Sequence, residues 1–160
     1  MLMTRIQPAI QPPANARIER HAGGSVWLED GMVCALSENC EHHTLQEALR
    51  NVEIITRLSG GARMALLVDF TGIKSMSREA REYYTRKEAK SYLLATAIIT
   101  RSNLERLIAN FFLGINRTPF PTRLFNDAQE ARRWLGKQIL LHEERVTAGG
   151  IEEKFLTNSN

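Results

Sequence analysis

The first apolar positions of the chain form two short runs that indicate a β-hairpin. Residues 25–29 and 32–36 are mainly apolar and flank Asp30 and Gly31. Asp-Gly adopts the left-handed backbone of a two-residue turn more readily than most pairs do, so this pattern is typical of a tight hairpin. The domain is therefore predicted to begin with two antiparallel strands.

Three later runs predict strands that lie deeper in the fold. Residues 64–70 and 93–100 are apolar almost throughout, a pattern typical of parallel strands that are covered on both faces. Residues 122–125 form a shorter run just after a proline-containing turn. Together with the hairpin, these runs predict a sheet that has both antiparallel and parallel pairs.

Apolar residues at helical spacing separate the strands. A capping-box pattern opens a helix over 44–59, which the following glycine pair ends. Further helices are predicted over 77–92 with Ser77 as N-cap, over 102–115, and from Asp127 onward. The apolar stripe of the first helix consists of Leu45, Ala48, Leu49, Val52, Ile55 and Leu58.

The element order β-β-α-β-α-β-α-β-α predicts an α/β fold, in which about four α-helices pack on a mixed β-sheet through right-handed crossovers. Residues 1–23 are rich in Pro, Ala, Asn and Gln without periodicity, so we expect a flexible N-terminal arm. Residues 24–146 are predicted to form a single domain. Residues 147–160 are expected to be a polar tail, because Gly149 and Gly150 interrupt the helical pattern.

Composition narrows the class of protein. The chain has 160 residues, 43% hydrophobic and 24% charged, which suits one globular domain. No apolar run approaches the roughly 18 residues of a membrane helix, and residues 1–24 lack the apolar core of a secretory signal. We therefore expect a cytoplasmic protein without a membrane span, in which Cys34 and Cys40 are free thiols.

The charge pattern does not indicate nucleic-acid binding. The 21 basic and 18 acidic residues give a net charge of +3, and the two signs are mixed along the chain. The predicted second helix shows this, because its basic and acidic residues alternate and are expected to form pairs on the helix. The basic residues are Arg78, Arg81, Arg86, Lys87 and Lys90, and the acidic residues are Glu79, Glu82 and Glu88.

Motif searches find no catalytic or cofactor signature. Cys40-Glu41-His42-His43 is the one candidate ligand cluster, but adjacent histidines rarely bind the same ion, and no second group at a recognised spacing completes a tetrahedral site. A polar loop is the preferred interpretation, so no metal and no cofactor are predicted. Gly-x-Ser-x-Gly and the Gly-rich phosphate loops are also absent from the sequence, and no catalytic triad can be assembled.

Two predicted helix starts provide the candidate binding residues. In open α/β sheets, ligands gather at the carboxyl ends of parallel strands, where helix N-termini favour anions. Simple helix capping and solvated arginines explain the same residue types and are the preferred interpretation, because capping alone accounts for them. The candidates are Asp69, Thr71, Ser75, Ser77, Arg78 and Arg81 after one strand, and Ser102, Asn103 and Arg106 after the next.

The stretch from Leu66 to Ala80, LLVDFTGIKSMSREA, resembles the central signature of STAS-like domains, the family of anti-sigma-factor antagonists and the cytoplasmic domains of sulfate transporters. Asp69, Gly72 and Ile73 match best. Shorter stretches up to residue 140 are similar to an uncharacterised bacterial branch of STAS and SpoIIAA-like proteins. They are 78–81, 97–102, 110–114, Pro121 and 131–135.

The resemblance implies a non-enzymatic interaction domain. In partner-switching members, phosphorylation of a serine at the start of the helix after this strand breaks a complex with an anti-sigma kinase. Arg78 occupies that position in this chain and cannot accept a phosphate, so a switch of this kind would need Ser77 or Ser75. The arginines could instead bind a fixed anion or an acidic partner.

The leading interpretation is a regulatory domain that binds a protein partner through residues 69–81. The alternative is a small-molecule, lipid or anion sensor that binds at the helix N-termini near Ser77 and Ser102, which would require a real pocket. An enzyme of unrecognised type ranks last. A homodimer is also expected, because tyrosines on a charged helix offer aromatic area of the kind enriched at interfaces. These tyrosines are Tyr83, Tyr84 and Tyr92.

Overall fold

A six-stranded sheet forms the centre of the molecule. The computed structural model describes residues 7–38, 40–103, 106–107 and 118–157. The strands of the large sheet lie in the order β1-β2-β3-β5-β7-β8. They are β1 (Ile18–His21), β2 (Gly24–Glu29), β3 (Met32–Ser37), β5 (Met64–Asp69), β7 (Leu93–Ile99) and β8 (Thr122–Phe125).

The strand pairing confirms the predicted mixed sheet. β1, β2 and β3 pair antiparallel, whereas β3, β5, β7 and β8 pair parallel. The hairpin between β2 and β3 turns at Asp30 and Gly31, whose φ angles are +50° and +76°. These positive angles are why Asp-Gly suits the turn.

A second, two-stranded sheet was not predicted. β4 (Cys40–His43) pairs parallel with β6 (Ile73–Met76). The sequence pattern predicts a polar loop for the first segment, and for the second it predicts a loop over 71–75 between the strand that ends at residue 70 and the helix that begins at Ser77. Each strand has only four residues, with polar residues at its centre, so neither shows the alternation that identifies a strand in sequence. Both loop predictions are therefore wrong.

Helices cover both faces of the large sheet. α1 (Leu45–Leu58) and α2 (Arg78–Thr85) pack on one face, and α3 (Ala128–Thr157) packs on the other. A 3-10 turn at Lys87–Ser91 follows α2, because Arg86 has extended backbone with ψ of 156°. α2 is thus shorter than the predicted helix over 77–92.

The helix caps agree with the sequence, but the predicted end of the last helix does not. The Thr44 and Glu47 capping box is present, and the amide of Glu130 donates to Asp127 over 2.8 Å at the start of α3. α3 continues through the glycines at 149 and 150, so the predicted break there is wrong. Most of the helix predicted over 102–115 lies outside the described residues.

The buried face of α1 is rotated from the predicted stripe. Leu45 and Leu49 are 37% and 46% exposed, whereas Ile54 is fully buried. Leu49 borders a surface groove beside His21, and the buried face turns instead toward the sheet and α2. The buried residues of α1 are Ala48, Val52, Ile54 and Ile55.

The segment before β2 makes specific contacts with the sheet. β1 forms one edge of the sheet against β2, and Ile10 is only 3% exposed within the core under α3. The predicted N-terminal arm therefore includes an ordered edge strand in its described part. Among the described residues, no helix is both long enough and apolar enough to cross a membrane.

Candidate functional site

A cavity of about 80 Å³ lies between the large sheet and the helices α1 and α2. Most of its wall is apolar and comes from neighbouring strands of the sheet. None of its described lining residues is a lysine or an arginine. Apolar residues of the wall include Ala35, Leu66, Val68, Ile98 and Phe120.

One part of the cavity wall is a chain of polar side chains. The Nε2 atom of His43 lies 2.9 Å from the hydroxyl of Tyr84, and the amide of Asn51 donates to the same hydroxyl over 3.0 Å. The rings of His43 and Tyr84 also stack, with centroids 5.9 Å apart. β4, α1 and α2 each contribute one of these side chains. Their hydrogen bonds therefore connect the three elements that cover the cavity.

One buried polar atom of the wall, the hydroxyl of Thr96, has no hydrogen-bond partner among the described residues. The amide oxygen of Asn51 is also buried, and a side-chain hydrogen bond of Asn51 to His21 acts to raise the pKa of that histidine. Thr96 as a whole is only 6% exposed. Leaving a buried polar group unpaired costs on the order of 1–3 kcal/mol, so such groups usually mark a place where a bound molecule or water completes the bonding.

Burial keeps the polar wall uncharged. It lowers the pKa of His43 to about 4, although the carboxylate of Glu47 acts in the opposite direction. It also lowers the pKa of His21 and raises the pKa of Tyr84. At neutral pH the imidazoles and the phenol are therefore neutral, and the cavity offers hydrogen bonds without a net charge.

Asp69, one of the predicted binding residues, is committed to internal bonds. Its carboxylate accepts hydrogen bonds from the amides of Ala9 at 2.5 Å, Ile10 at 3.3 Å and Thr71 at 2.8 Å. The hydroxyl of Thr71 also donates to it. Asp69 is fully buried. Its bonds to the amides of Ala9 and Ile10 hold the segment before β1 against the end of β5.

The serines predicted in this region stabilise the backbone. Ser75 donates to the carbonyl of Glu41 and lies 2.7 Å from Nδ1 of His42, which links β6 to β4. Ser77 accepts a hydrogen bond from the amide of Ala80, as an N-cap should.

The arginines of α2 differ in their surroundings. Arg78 is 77% exposed and forms an ion pair with Glu82 at 2.7 Å. Arg81 reaches back to donate to the carbonyl of Met76 over 2.5 Å. Arg81 therefore stabilises the start of α2, whereas Arg78 remains a surface group.

The other predicted residues follow β7. Ser102 and Asn103 lie just beyond the end of this strand, and the amide of exposed Arg106 donates to the carbonyl of Ser102. The start of α2 is separated from the end of β5 by β6, so Ser77 lies at the end of the small sheet, where its amide donates to the carbonyl of His43 over 2.9 Å. None of the residues predicted at either helix start lines the cavity.

Sequence reasoning missed the residues that form the polar wall. Asn51 lies among the buried residues Ala48, Val52 and Ile55 of α1, and a polar residue in an apolar stripe was the available signal. The inward positions of His43 and Tyr84 depend on the small sheet and had no comparable signal.

The tyrosines expected at a dimer interface face the interior. Tyr92 is 8% exposed, Tyr84 bonds to His43 and Asn51, and Tyr83 packs under Arg86 at 3.7 Å. The aromatic area that motivated the dimer prediction is thus used inside the fold. The homodimer itself stays a prediction.

The mixed sheet, with helices on both faces, defines a domain of SpoIIAA-like fold. The chain belongs to the family described as Domain of unknown function (DUF7793), whose model matches residues 26–139. No curated protein matches the chain.

A solved structure supports the assignment of the fold. It is the crystal structure of an uncharacterized protein from the DUF3478 family, with a SpoIIAA-like fold, from Shewanella loihica PV-4. It is 17% identical, with a TM-score of 0.51, and the match covers 75% of this chain and 91% of that chain. The resemblance to STAS and SpoIIAA-like domains is confirmed at the level of the fold.

Proposed function

We propose that this chain is a non-enzymatic regulatory domain that binds a small, uncharged, mainly apolar molecule in the cavity. The observation that carries the proposal is the buried hydroxyl of Thr96 on the cavity wall, which has no hydrogen-bond partner among the described residues. A ligand with one hydroxyl or carbonyl group would satisfy it and would remove part of its desolvation cost. The SpoIIAA-like fold is consistent with a regulatory rather than a catalytic role.

The cavity also limits the chemistry of the ligand. A charged ligand is disfavoured, because the described lining contains no lysine or arginine and burial lowers the pKa of both histidines at the wall, His21 and His43. This differs from the predicted anion site near Ser77 and Ser102. The volume of about 80 Å³ is smaller than the roughly 150 Å³ of a cavity that binds benzene. A short aliphatic alcohol is therefore a suitable probe.

A titration with 1-butanol, followed by protein NMR, tests this function. We expect saturable shifts of the amide signals of Thr96 and Asn51, whereas butyrate should cause none, because burying a carboxylate without a partner is costly. Thr96→Val keeps the side-chain size but removes the hydroxyl, so binding should weaken by about threefold to tenfold.

Variants separate the cavity from other binding sites. Ala35→Leu should fill the cavity and abolish the shifts, whereas Leu28→Ala, at a position that is 40% exposed and outside the cavity lining, should leave them unchanged. Shifts that persist in a folded Ala35→Leu protein, or that butyrate reproduces, would contradict binding in this cavity.

A protein partner remains the second candidate, with the exposed side of β6 and α2 as its contact surface. One observation favours a partner surface that responds to the ligand. Met76 and Tyr84 line the cavity, whereas Arg78 and Glu82 of the same segment are exposed to solvent. A ligand that changes the packing of the inner residues would therefore alter the surface offered to a partner.

Hydrogen exchange tests this coupling without a known partner. Saturation with 1-butanol should slow amide exchange over 73–85 more than over the first turns of α3, which lie on the opposite face of the sheet. Equal effects on both segments, or none on 73–85, would argue against transmission through β6 and α2.

A further inference from the structure

Three potential metal ligands converge where β4 joins α1. Cys40, His43 and Glu47 each place one ligand atom within 4.8 Å of those of the other two. The Sγ atom of Cys40 and the Nδ1 atom of His43 are 3.7 Å apart. In a tetrahedral zinc site, neighbouring sulfur and nitrogen ligands are about 3.5 Å apart, as follows from the usual metal-ligand distances.

The hydrogen bonds around the cluster leave the required atoms available. His43 uses Nε2 toward the hydroxyl of Tyr84, so Nδ1 is the atom that faces Cys40. The Oε2 atom of Glu47 accepts from the amide and hydroxyl of Thr44, which leaves Oε1 for another partner. An imidazole whose second nitrogen is held by a hydrogen bond is the usual arrangement of a metal-binding histidine.

Neighbouring histidines do not fill the same role. Nδ1 of His21 already accepts a hydrogen bond from the amide of Gly23 at 3.1 Å. His21 is therefore not counted among the ligands. His42 is exposed and lies against Ser75. Glu47 and His21 both border a surface groove, which gives an ion a path from solvent.

We propose that Cys40, His43 and Glu47 form a zinc site. Thiolate, imidazole and carboxylate are all common zinc ligands, and three protein ligands leave the fourth tetrahedral position to water or another small ligand. The expectation of no metal came from the adjacency of His42 and His43 and from the lack of a second Cys or His group at a recognised spacing. The fold instead supplies Glu47, which the sequence marks only as a capping residue. The site shares His43 with the cavity wall, but the zinc proposal does not depend on a ligand being bound in the cavity.

Binding changes the protonation of one group. A cysteine thiol is mostly protonated at neutral pH, and only the thiolate binds zinc. When Zn²⁺ binds, the sulfur gives up its proton to solvent and donates an electron pair to the ion, while neutral His43 and ionised Glu47 change no protons. One proton should therefore be released for each ion bound.

Cobalt provides a spectroscopic test on the full chain. Co²⁺ should bind at one ion per chain, with a thiolate-to-cobalt absorption band in the near ultraviolet and the visible bands of a tetrahedral site. Zn²⁺ should displace it, with release of one proton in weakly buffered solution. Absence of the thiolate band at saturating Co²⁺ would overturn the proposal.

Variants identify the ligands. Cys40→Ala should remove the thiolate band and weaken Zn²⁺ binding by at least about 100-fold, whereas Cys34→Ala should keep both, because Cys34 lies in the core under α3. Glu47→Gln should weaken binding without removing the band. His43→Asn and His42→Asn are a matched pair, of which only the first should affect affinity.

The control variants also allow the proposal to fail. A thiolate band that disappears in Cys34→Ala, or affinity that depends on His42 instead of His43, would place the ion elsewhere and overturn the assignment. If His43→Asn does not fold, Glu47→Gln still tests the site, because Glu47 borders the surface groove. An unchanged Zn²⁺ affinity in Glu47→Gln would reject Glu47 as a ligand.

Discussion

Replacing Gly72 with alanine is expected to destabilise the domain by about 3 kcal/mol or more. An added Cβ would lie 2.1 Å from the carbonyl oxygen and 2.8 Å from the carbonyl carbon of Ser37, and 3.0 Å from Cα of Glu38. These are backbone atoms, so no side chain can rotate away. The carbonyl of Gly72 also accepts a hydrogen bond from the amide of Cys40 at 3.2 Å, so moving apart would loosen the small sheet.

Urea denaturation measures this effect, and Gly136→Ala is the matched control. An added Cβ at Gly136 meets no atom within 4 Å, and the residue lies within α3. Alanine there should stabilise the protein by up to about 1 kcal/mol, through helix propensity. A Gly72→Ala protein with the wild-type urea midpoint would show that Gly72 does not lie this close to the backbone of Ser37 and Glu38.

Asp69→Ala is expected to destabilise the protein by about 3–5 kcal/mol. The carboxylate is fully buried and accepts hydrogen bonds from the amides of Ala9, Ile10 and Thr71. Its removal leaves these donors near an apolar core without an acceptor. The segment before β1 should then detach from the end of β5.

Denaturation and limited proteolysis should both report this loss. Trypsin should cut after Arg17 faster in Asp69→Ala than in wild type, at a urea concentration where both proteins remain folded. Asp127→Ala removes only the exposed N-cap of α3 and should cost about 1 kcal/mol without faster cleavage at Arg17. Equal cleavage rates in wild type and Asp69→Ala would mean that Asp69 does not hold this segment.

Gly72 and Asp69, which match the STAS signature best together with Ile73, have structural roles in this fold. Asp69 was also a candidate binding residue. The structure explains each by packing and by internal hydrogen bonds. A conspicuous motif in sequence therefore marks a structural requirement at the junction of β5 and β6, and the predicted partner surface of 69–81 still awaits its test.

Local features could be predicted because their causes lie within a few residues. The Asp30-Gly31 turn needs two residues with positive φ, and the Thr44 capping box needs only Glu47. The central strands β5 and β7 were recognisable because both faces are covered, which requires apolar residues without interruption. From these elements and their order, the mixed α/β fold followed.

The candidate sites depend on contacts between residues far apart in sequence. Two of the three amides that donate to Asp69, those of Ile10 and Ala9, are 59 and 60 residues away, and His43 contacts Tyr84 across 41 residues. Pairing of β4 with β6 is what turns His43 inward toward the cavity and toward Cys40. Such pairing depends on backbone hydrogen bonds that any short polar segment can make.

The sequence by itself thus determined where α1, α2 and α3 begin, the turn, the buried strands and the fold class, because hydrophobic spacing and capping act locally. Only the tertiary structure decided which polar residues share the cavity wall, which three potential metal ligands converge, and which predicted binding residues instead support the backbone. The physical reason is that burial and distance, which give a polar side chain its role, are properties of the packed chain and not of its neighbours in sequence.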